Sequence, residues 1–187
     1  MKRLVVKKTK AKEWFTIIAP KLFGEKEIGK THAIEASNII GRRINVSVVE
    51  LSDDFSKYYM KFSFKITRIE GNKAFTEFDG SECLRDYISR MVVRRVRRID
   101  TVQDLKTKDG KHIMVKGIAI LSRRVKSSIQ KAIASKIKEM VKELVESMNL
   151  EDFIQKLLTD EMKNRILQQA KKIYPVRNFE FRKIEAI

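Results

Sequence analysis

The chain has 187 residues, and 43% of them are hydrophobic, which is enough for a domain with a sizeable core. Its single cysteine, Cys83, excludes an internal disulfide framework, so we expect a cytoplasmic protein. No apolar run approaches the ~20 residues that span a bilayer, so we expect no membrane partner. The net charge of +17 is concentrated in residues 1–30 (+6) and 81–131 (+9), whereas residues 31–80 are neutral, and such segregated blocks favour a nucleic acid as partner.

The chain begins with a strongly basic segment. Half of residues 1–12 are Lys or Arg, and the segment has little hydrophobic periodicity. We interpret residues 1–12 as an arm that becomes ordered when it neutralises RNA phosphates, while a disordered tail without a ligand remains the alternative. The candidate RNA-binding residues of this arm are Lys2, Arg3, Lys7, Lys8, Lys10 and Lys12.

The segment EWFTIIAP, which starts at Glu13, predicts a short strand that ends at Pro20. It carries the single tryptophan, Trp14, close to the lysines of the arm. A tryptophan at the start of a strand is most often part of the core, so we expect Trp14 to be buried. Stacking of its ring on a nucleobase is the alternative that the neighbouring lysines leave open.

The next segment, GEKEIGKT (residues 24–31), spells the G-x-x-x-x-G-K-T pattern of a nucleotide-binding P-loop. A P-loop needs a buried strand before it, a helix after it and a second acidic residue for the metal ion. Here Pro20 stands where that strand would finish, and Gly41 interrupts the segment where the helix would form. We therefore interpret the match as coincidental and predict no nucleotide hydrolysis.

The following segments predict β-structure. Alternation of Ile44, Val46 and Val48 indicates a half-buried strand, and residues 58–80 predict a hairpin that turns at Gly71-Asn72. One face of its first strand carries Tyr58, Met60, Phe62, Phe64 and Ile66. A short helix should follow, with Ser81 as its N-cap.

The segment MVVRRVRRIDTVQDLKT (residues 91–107) is rich in β-branched residues and predicts one long strand, which a turn at Asp109-Gly110 connects to another. On a strand, Arg95 and Arg97 would share one face, and Arg94 and Arg98 the other. Arginines on both faces suit an exposed ribbon against a phosphate backbone, because the guanidinium group donates two hydrogen bonds to phosphate. A solvated charged strand is the alternative.

From Ser122 the pattern becomes helical. Apolar residues at steps of three or four predict a helix of about six turns as far as Met148, followed by two shorter helices, the second capped by Asp160, and a closing strand after Pro175. The long helix opens with a further basic group, Arg123, Arg124 and Lys126, whose charge opposes the helix dipole unless an anion binds there.

The sequence thus predicts an α+β fold with a β-rich antiparallel core, a C-terminal helical region and a final strand. Its divisions are an arm at 1–12, a β-rich core with one short helix at 13–121, and the helices with the closing strand at 122–187. His32 and His112 lack neighbours at metal-ligand spacing, and Cys83 lacks an evident base, so we predict no catalytic residue, metal or cofactor.

Four segments together resemble one protein family: KEWFTIIAPKLFGEKEIGKT, FDGSECLRDYISRMVVRR, DLKTKDGKHIMVKGIAIL and IYPVRNFEFRKI. From about Lys12 onwards the chain resembles the archaeal and eukaryotic small-subunit ribosomal protein family eS-one, in older nomenclature S-three-a-e. The distinctive W-F…AP…F…IGKT opening accounts for the P-loop-like letters as family sequence.

The resemblance implies a non-catalytic ribosomal protein with a β-barrel-like core and C-terminal helices. It implies a position on the small-subunit platform near the mRNA exit, with rRNA and neighbouring platform proteins as partners and mRNA close by. Eukaryotic members carry a long basic C-terminal tail, so a chain that stops at Ile187 is similar to the archaeal form. A free RNA-binding translation or chaperone factor is the alternative function.

Overall fold

The computed structural model describes residues 11–52 and 54–187, which form an eight-stranded mixed sheet and five α-helices. The strands are β1 (Glu13–Ile18), β2 (Glu27–Ala33), β3 (Arg43–Ser47), β4 (Met60–Glu70), β5 (Lys73–Cys83), β6 (Arg97–Lys106), β7 (His112–Leu121) and β8 (Val176–Ala186). The helices are α1 (Val48–Ser52), α2 (Arg85–Met91), α3 (Ser127–Glu146), α4 (Leu150–Leu158) and α5 (Glu161–Lys171). The predicted α+β fold, with its helical region and closing strand, is confirmed.

The sheet branches at β5. Its main path runs β2-β1-β5-β8-β7-β6, while β4 and then β3 extend from the opposite edge of β5. At Gly80 the backbone of β8 comes so close that a Cβ atom would lie 2.3 Å from the carbonyl oxygen of Ile184. A glycine is therefore required where β5 meets β8. The sheet is antiparallel except where β1 pairs with β5 in parallel, because the chain crosses over between them through β2 to β4.

The predicted hairpin is confirmed as β4 and β5. Gly71 takes the positive φ of 58° that the turn requires. Met60, Phe62, Phe64 and Ile66 are all buried, so their alternation does mark the core face, but Tyr58 precedes the strand and is exposed. Val48 also departs from its predicted strand, since β3 ends at Ser47 and Val48 begins α1.

The helices follow the predicted order with shifted starts. Helix α3 begins at Ser127 and packs on β6 through a buried face that includes Ile133, Ile137 and Val141. Ser81 does not cap α2, because it is a buried residue of β5 and the helix begins at Arg85. Asp160 does precede α5, but its carboxylate pairs with the buried ammonium group of Lys57 and does not cap the helix.

The P-loop-like letters end in β2, which contains residues 27–31 of the segment, and no helix follows them directly. Gly29, Lys30 and Thr31 pair with Ile17, Thr16 and Phe15 of β1 in an antiparallel ladder. Their backbone N–H groups therefore belong to a sheet and cannot wrap a phosphate as those of a P-loop do.

Candidate nucleic-acid interface

The two basic segments of the middle of the chain meet at one end of the β6–β7 ribbon. Because β6 and β7 are antiparallel, Arg97 at the start of β6 pairs with Leu121 at the end of β7. Residues 94–98 therefore enter the ribbon where residues 123–126 leave it. We call this surface the basic end, and its members are Arg94, Arg95, Arg97, Arg98, Arg123, Arg124 and Lys126.

The basic end differs from its predicted form, because the strand begins only at Arg97. Arg94 and Arg95 lie in a turn between α2 and β6, and Arg95 has a positive φ of 71°. The predicted pairing of arginines on two strand faces is wrong for these two residues. The chain leaves the ladder after Leu121 and runs towards α3, so residues 92–96 have no strand to pair with. The predicted first residue of the strand, Met91, is the last residue of α2.

A hydrogen-bond chain fixes the two segments of the basic end to each other. The Nε of Arg97 donates to Oε1 of Gln130 in the first turn of α3 (2.9 Å). The Nε2 of Gln130 in turn donates to the carbonyl oxygen of Val125 (2.8 Å), in the segment that precedes the helix. The positions of the backbone around Arg97 and Arg124 are therefore coupled.

The cations of the basic end differ in their availability. Arg98 is already held by both carboxylate oxygens of Asp100, at 2.8 to 3.0 Å. Across residues 11–52 and 54–187, in contrast, no carboxylate pairs with the exposed side chains of Arg94, Arg95, Arg123, Arg124 or Lys126. Unpaired guanidinium groups gathered at one edge repel each other, and a bound phosphate backbone would neutralise them.

Two further arginines, which are not among the predicted RNA-binding residues, join this end. Arg177 follows Val176, which pairs with Leu121, and Arg90 lies in the last turn of α2. Together with the rings of Tyr58 and Tyr87 they line an open cavity of about 370 Å³. In the sequence, Arg90 lies just before the arginine run that starts at Arg94, and this proximity is a signal that could have marked it. Arg177 depends on the long-range pairing of β8 with β7, which no local pattern reveals.

The remaining predicted cations are placed elsewhere or lie outside the described residues. Lys12 is exposed just before β1. In the sheet order β1 is separated from β6, where the basic end lies, by three strands, β5, β8 and β7. Lys2, Arg3, Lys7, Lys8 and Lys10 fall in residues 1–10, which the structure does not describe. The predicted RNA-binding set therefore contains one assembled surface and an N-terminal group at another part of the sheet.

A larger groove of about 1120 Å³ crosses the sheet but has a different charge character. Its lining mixes cations such as Arg43 and Lys65 with carboxylates such as Asp79 and Glu185. Arg43 and Asp79 form an ion pair across it (2.7 Å). The carboxylates of this lining repel phosphate and cancel part of the attraction of its cations, so this groove is the weaker candidate for a polyanion.

Charged groups in the interior are paired. The carboxylate of Glu180, 3% exposed, accepts from Lys163 Nζ (2.5 Å) and from the hydroxyl of Tyr87 (3.1 Å). Burial, reinforced by the charge of Glu180, raises the pKa of the Tyr87 phenol above its ordinary value and raises the pKa of the Cys83 thiol to about 12. Cys83 is thus protonated at neutral pH, which disfavours a nucleophilic role.

Comparison with known proteins identifies the family. The sequence profile described as the Ribosomal S3Ae family matches residues 1–187. The chain belongs to this family of ribosomal proteins. The resemblance found in the sequence is thereby confirmed.

Curated relatives are similar in sequence to this chain over almost its whole length. The protein named small ribosomal subunit protein eS1 of Archaeoglobus fulgidus is 38% identical over 178 residues, covering 94% of this chain and 84% of that protein. The protein of the same name from Sulfurisphaera tokodaii is 36% identical over 186 residues, covering 100% of this chain and 96% of that protein. That of Saccharolobus islandicus is 36% identical over 180 residues, with 96% and 86% covered.

Among residues 11–52 and 54–187, no helix is both long and apolar enough to cross a membrane. In the same residues no group of three or more His, Cys, Asp or Glu side chains is arranged to hold a metal ion.

Proposed function

We propose that this chain is a structural constituent of the small ribosomal subunit and binds rRNA through the basic end. The observation that carries the proposal is the convergence of two arginine-rich segments in which every guanidinium group except that of Arg98 has no carboxylate partner in the described chain. The names of the eS1 relatives support the same assembly.

The basic end is suited to backbone and shape recognition. Arg94, Arg95 and Arg124 project from a turn and a loop, where they can follow phosphates of a folded RNA. Helix α3 starts beside them at Ser127, and its free N–H groups and dipole add to the attraction for phosphate. Each cation that meets a phosphate releases a counterion, which makes binding strongly dependent on salt.

The arm formed by residues 1–12 is a second contact in this proposal. It carries Lys12 at its end, and Lys12 precedes β1 on the far side of the sheet from the basic end. The protein would therefore touch rRNA at two separated places, which suits a component held permanently in a folded particle. Its position in the particle is the platform near the mRNA exit, with platform proteins as neighbours and mRNA within reach.

Sedimentation tests the assembly. The tagged protein, expressed in the cells that encode it, should comigrate with small subunits through a high-salt wash, because a structural component is held by many simultaneous contacts. A charge-removed variant, with Arg94, Arg95, Arg123 and Arg124 changed to Ala, should shift towards the top of the gradient. A wild-type protein that the high-salt wash strips completely would instead be a loosely bound translation factor.

Directed hydroxyl-radical probing tests the position. Cys83 is buried and its thiol pKa is raised, so a cysteine introduced at exposed Ser122 can be modified selectively with an iron chelate. Cleavage should concentrate in rRNA helices of the platform, and the same probe at exposed Ser37, beyond β2, should give a different pattern. Cleavage confined to rRNA outside the platform would overturn the position.

A further inference from the structure

Trp14 is exposed, contrary to the expectation that it is buried. Its side chain is 64% exposed, whereas its neighbours in β1, Phe15 and Ile17, are 4% and 2% exposed. Strand alternation explains the difference, since Trp14 and Thr16 point to the outer side of the sheet and Phe15 and Ile17 to the inner side. The largest aromatic ring of the chain thus faces outward from the second residue of a paired strand.

Other aromatic and basic side chains share this outer side. His32 of β2 pairs with Trp14, and their ring centroids are 5.3 Å apart. Thr16 lies two residues after Trp14 in β1, on the same side of the sheet, and pairs with Lys30 of β2 and with Lys73 of β5. We call this surface the aromatic face, and its members are Trp14, His32, Lys30, Lys73, Phe75 and Arg68.

The far part of the aromatic face already contains a stacked cation. The guanidinium carbon of Arg68 lies 4.5 Å from the ring centroid of Phe75, the residue that it faces across the β4–β5 ladder. The carboxylate of Glu70 is next to Arg68, at 3.6 Å. The lysines nearest to Trp14 keep their charge unpaired in the described chain, so the face as a whole is positive.

The aromatic face is built on a rigid support. Beneath it a separate core cluster contains Phe15, Ile17, Ala33, Ile39, Ile66 and Ala74. Arg42 clamps β2 from its edge by donating to the hydroxyl of Thr31 (2.8 Å) and the carbonyl oxygen of His32 (3.1 Å). A ring held on such a strand loses little conformational freedom when a planar ligand stacks on it.

The combination of rings and lysines on a flat sheet matches one ligand chemistry. An unpaired nucleobase offers a planar surface to Trp14, and its phosphates offer anions to Lys30 and Lys73. A base inside a duplex is already stacked on both sides and cannot reach the ring. Burial under a protein neighbour would strip water from both lysines unless that neighbour supplied carboxylates.

We propose that the aromatic face binds single-stranded RNA by stacking an unpaired nucleobase on Trp14. This site is separate from the basic end, although the inference rests on the proposed function in taking RNA as the ligand. Lys12 is exposed just before Trp14, so it would offer a further cation to the RNA beside the face.

The protein carries its own reporter, because Trp14 is the single tryptophan in the sequence. Titration of the full chain with a short single-stranded oligoadenylate should quench its tryptophan fluorescence in a saturable manner. The same oligonucleotide annealed to its complement should quench far less. Absence of quenching by the single strand at any concentration that saturates binding would overturn the proposal.

Affinity measurements with a labelled oligonucleotide separate stacking from charge. Trp14→Ala should weaken binding about tenfold or more, whereas Trp14→Phe should retain most of the affinity, because a smaller ring still stacks. The matched control is Phe55→Ala, which removes an aromatic ring that is 79% exposed but lies outside the aromatic face. Equal losses for Trp14→Ala and Phe55→Ala would contradict a specific stacking site.

A further variant distinguishes failure of this inference from failure of the proposed function. Arg94→Ala with Arg124→Ala should weaken binding to structured rRNA yet leave quenching by the oligonucleotide intact. If that variant binds structured rRNA normally while Trp14 is still quenched, the basic end fails and the aromatic face stands. If rRNA binding falls but the wild-type tryptophan is never quenched, the aromatic face fails alone.

Discussion

The interior and the basic end hold the same kinds of charged side chain in opposite arrangements. In the interior, the ammonium group of Lys163 lies 2.5 Å from the carboxylate of Glu180, which also accepts from Tyr87. At the basic end, Arg94 and Arg124 are exposed and have no carboxylate partner in the described residues. The charges of Lys163 and Glu180 are paired within the fold, whereas those of Arg94 and Arg124 remain available to a ligand.

This difference shows how function can be separated from stability in a highly charged protein. Removing one member of a buried pair strands the other in a medium of low polarity, so it destabilises the fold strongly. Removing an exposed arginine changes the stability little, since water already solvates it. Substitutions of the buried pair should therefore lower the stability and leave RNA binding unchanged. Substitutions at the basic end should weaken RNA binding and leave the stability nearly unchanged.

The largest effect on stability is expected from Glu180→Ala. It leaves the mostly buried ammonium group of Lys163 and the hydroxyl of Tyr87 without their acceptor. We expect the free energy of unfolding, measured with urea, to fall by about 3–5 kcal/mol, while the folded fraction keeps its rRNA affinity. The matched control is Glu139→Ala, which removes an exposed partner of Lys136 and should lower the stability by less than about 1 kcal/mol.

A paired replacement sharpens this prediction. Changing Lys163 to Met together with Glu180 to Leu removes both charges and should recover part of the lost stability. A double variant less stable than Glu180→Ala would show that the pair does not act as a unit.

A smaller effect of the opposite sign is expected from Lys126→Ser. Lys126 occupies the N-cap position of α3, and no side-chain cap bond forms there within the described chain. Serine can cap the helix and removes a cation from its positive end, so the free energy of unfolding should rise by about 1 kcal/mol. The affinity for rRNA should fall at the same time.

The conservative variant Lys126→Arg isolates the charge in that experiment. It should change neither the stability nor the affinity appreciably. A stabilised Lys126→Ser protein with undiminished rRNA binding would mean that this lysine does not serve the interface.

The smallest effect on stability is expected from Arg95→Gly. Arg95 has a φ of 71°, which glycine adopts without steric strain, although glycine also makes the unfolded chain more flexible. We expect a gain of roughly 0.5 kcal/mol in thermal or urea unfolding, together with weaker rRNA binding. Arg94→Gly, whose backbone has no positive φ, should instead be neutral or destabilising. If both variants lose the same stability, the conformation of Arg95 is not strained.

Local periodicity explains which parts of the fold were predictable. The β4–β5 hairpin and the buried stripe of α3 follow from alternation and from three- and four-residue spacing, which depend only on neighbouring residues. The prediction of a strand through Arg94 and Arg95 is wrong, because a strand also needs a partner and the chain after Leu121 turns away. Ser81 illustrates the same limit, since pairing with β4 and β8 extends β5 past the predicted cap.

The candidate site was predicted in composition but not in arrangement. The arginine runs were visible in the sequence, yet their meeting depends on the register of β6 with β7. Arg177 joins them only because β8 pairs with β7 across more than fifty residues of helical chain. The exposure of Trp14 could not be inferred either, because alternation reveals two faces of a strand without saying which one the sheet buries.

The salt dependence of rRNA binding tests the central claim most directly. A variant with Arg94→Ala and Arg124→Ala takes one cation from each segment of the basic end, and its control, with Lys61→Ala and Lys65→Ala, takes two from exposed positions of β4. If each arginine neutralises one phosphate, the slope of log K against log salt should fall by about 0.9 per arginine, using the value for duplex DNA. The control should retain the wild-type slope. Equal slopes for the wild type and the arginine variant would show that the basic end faces solvent in the complex and would contradict the account.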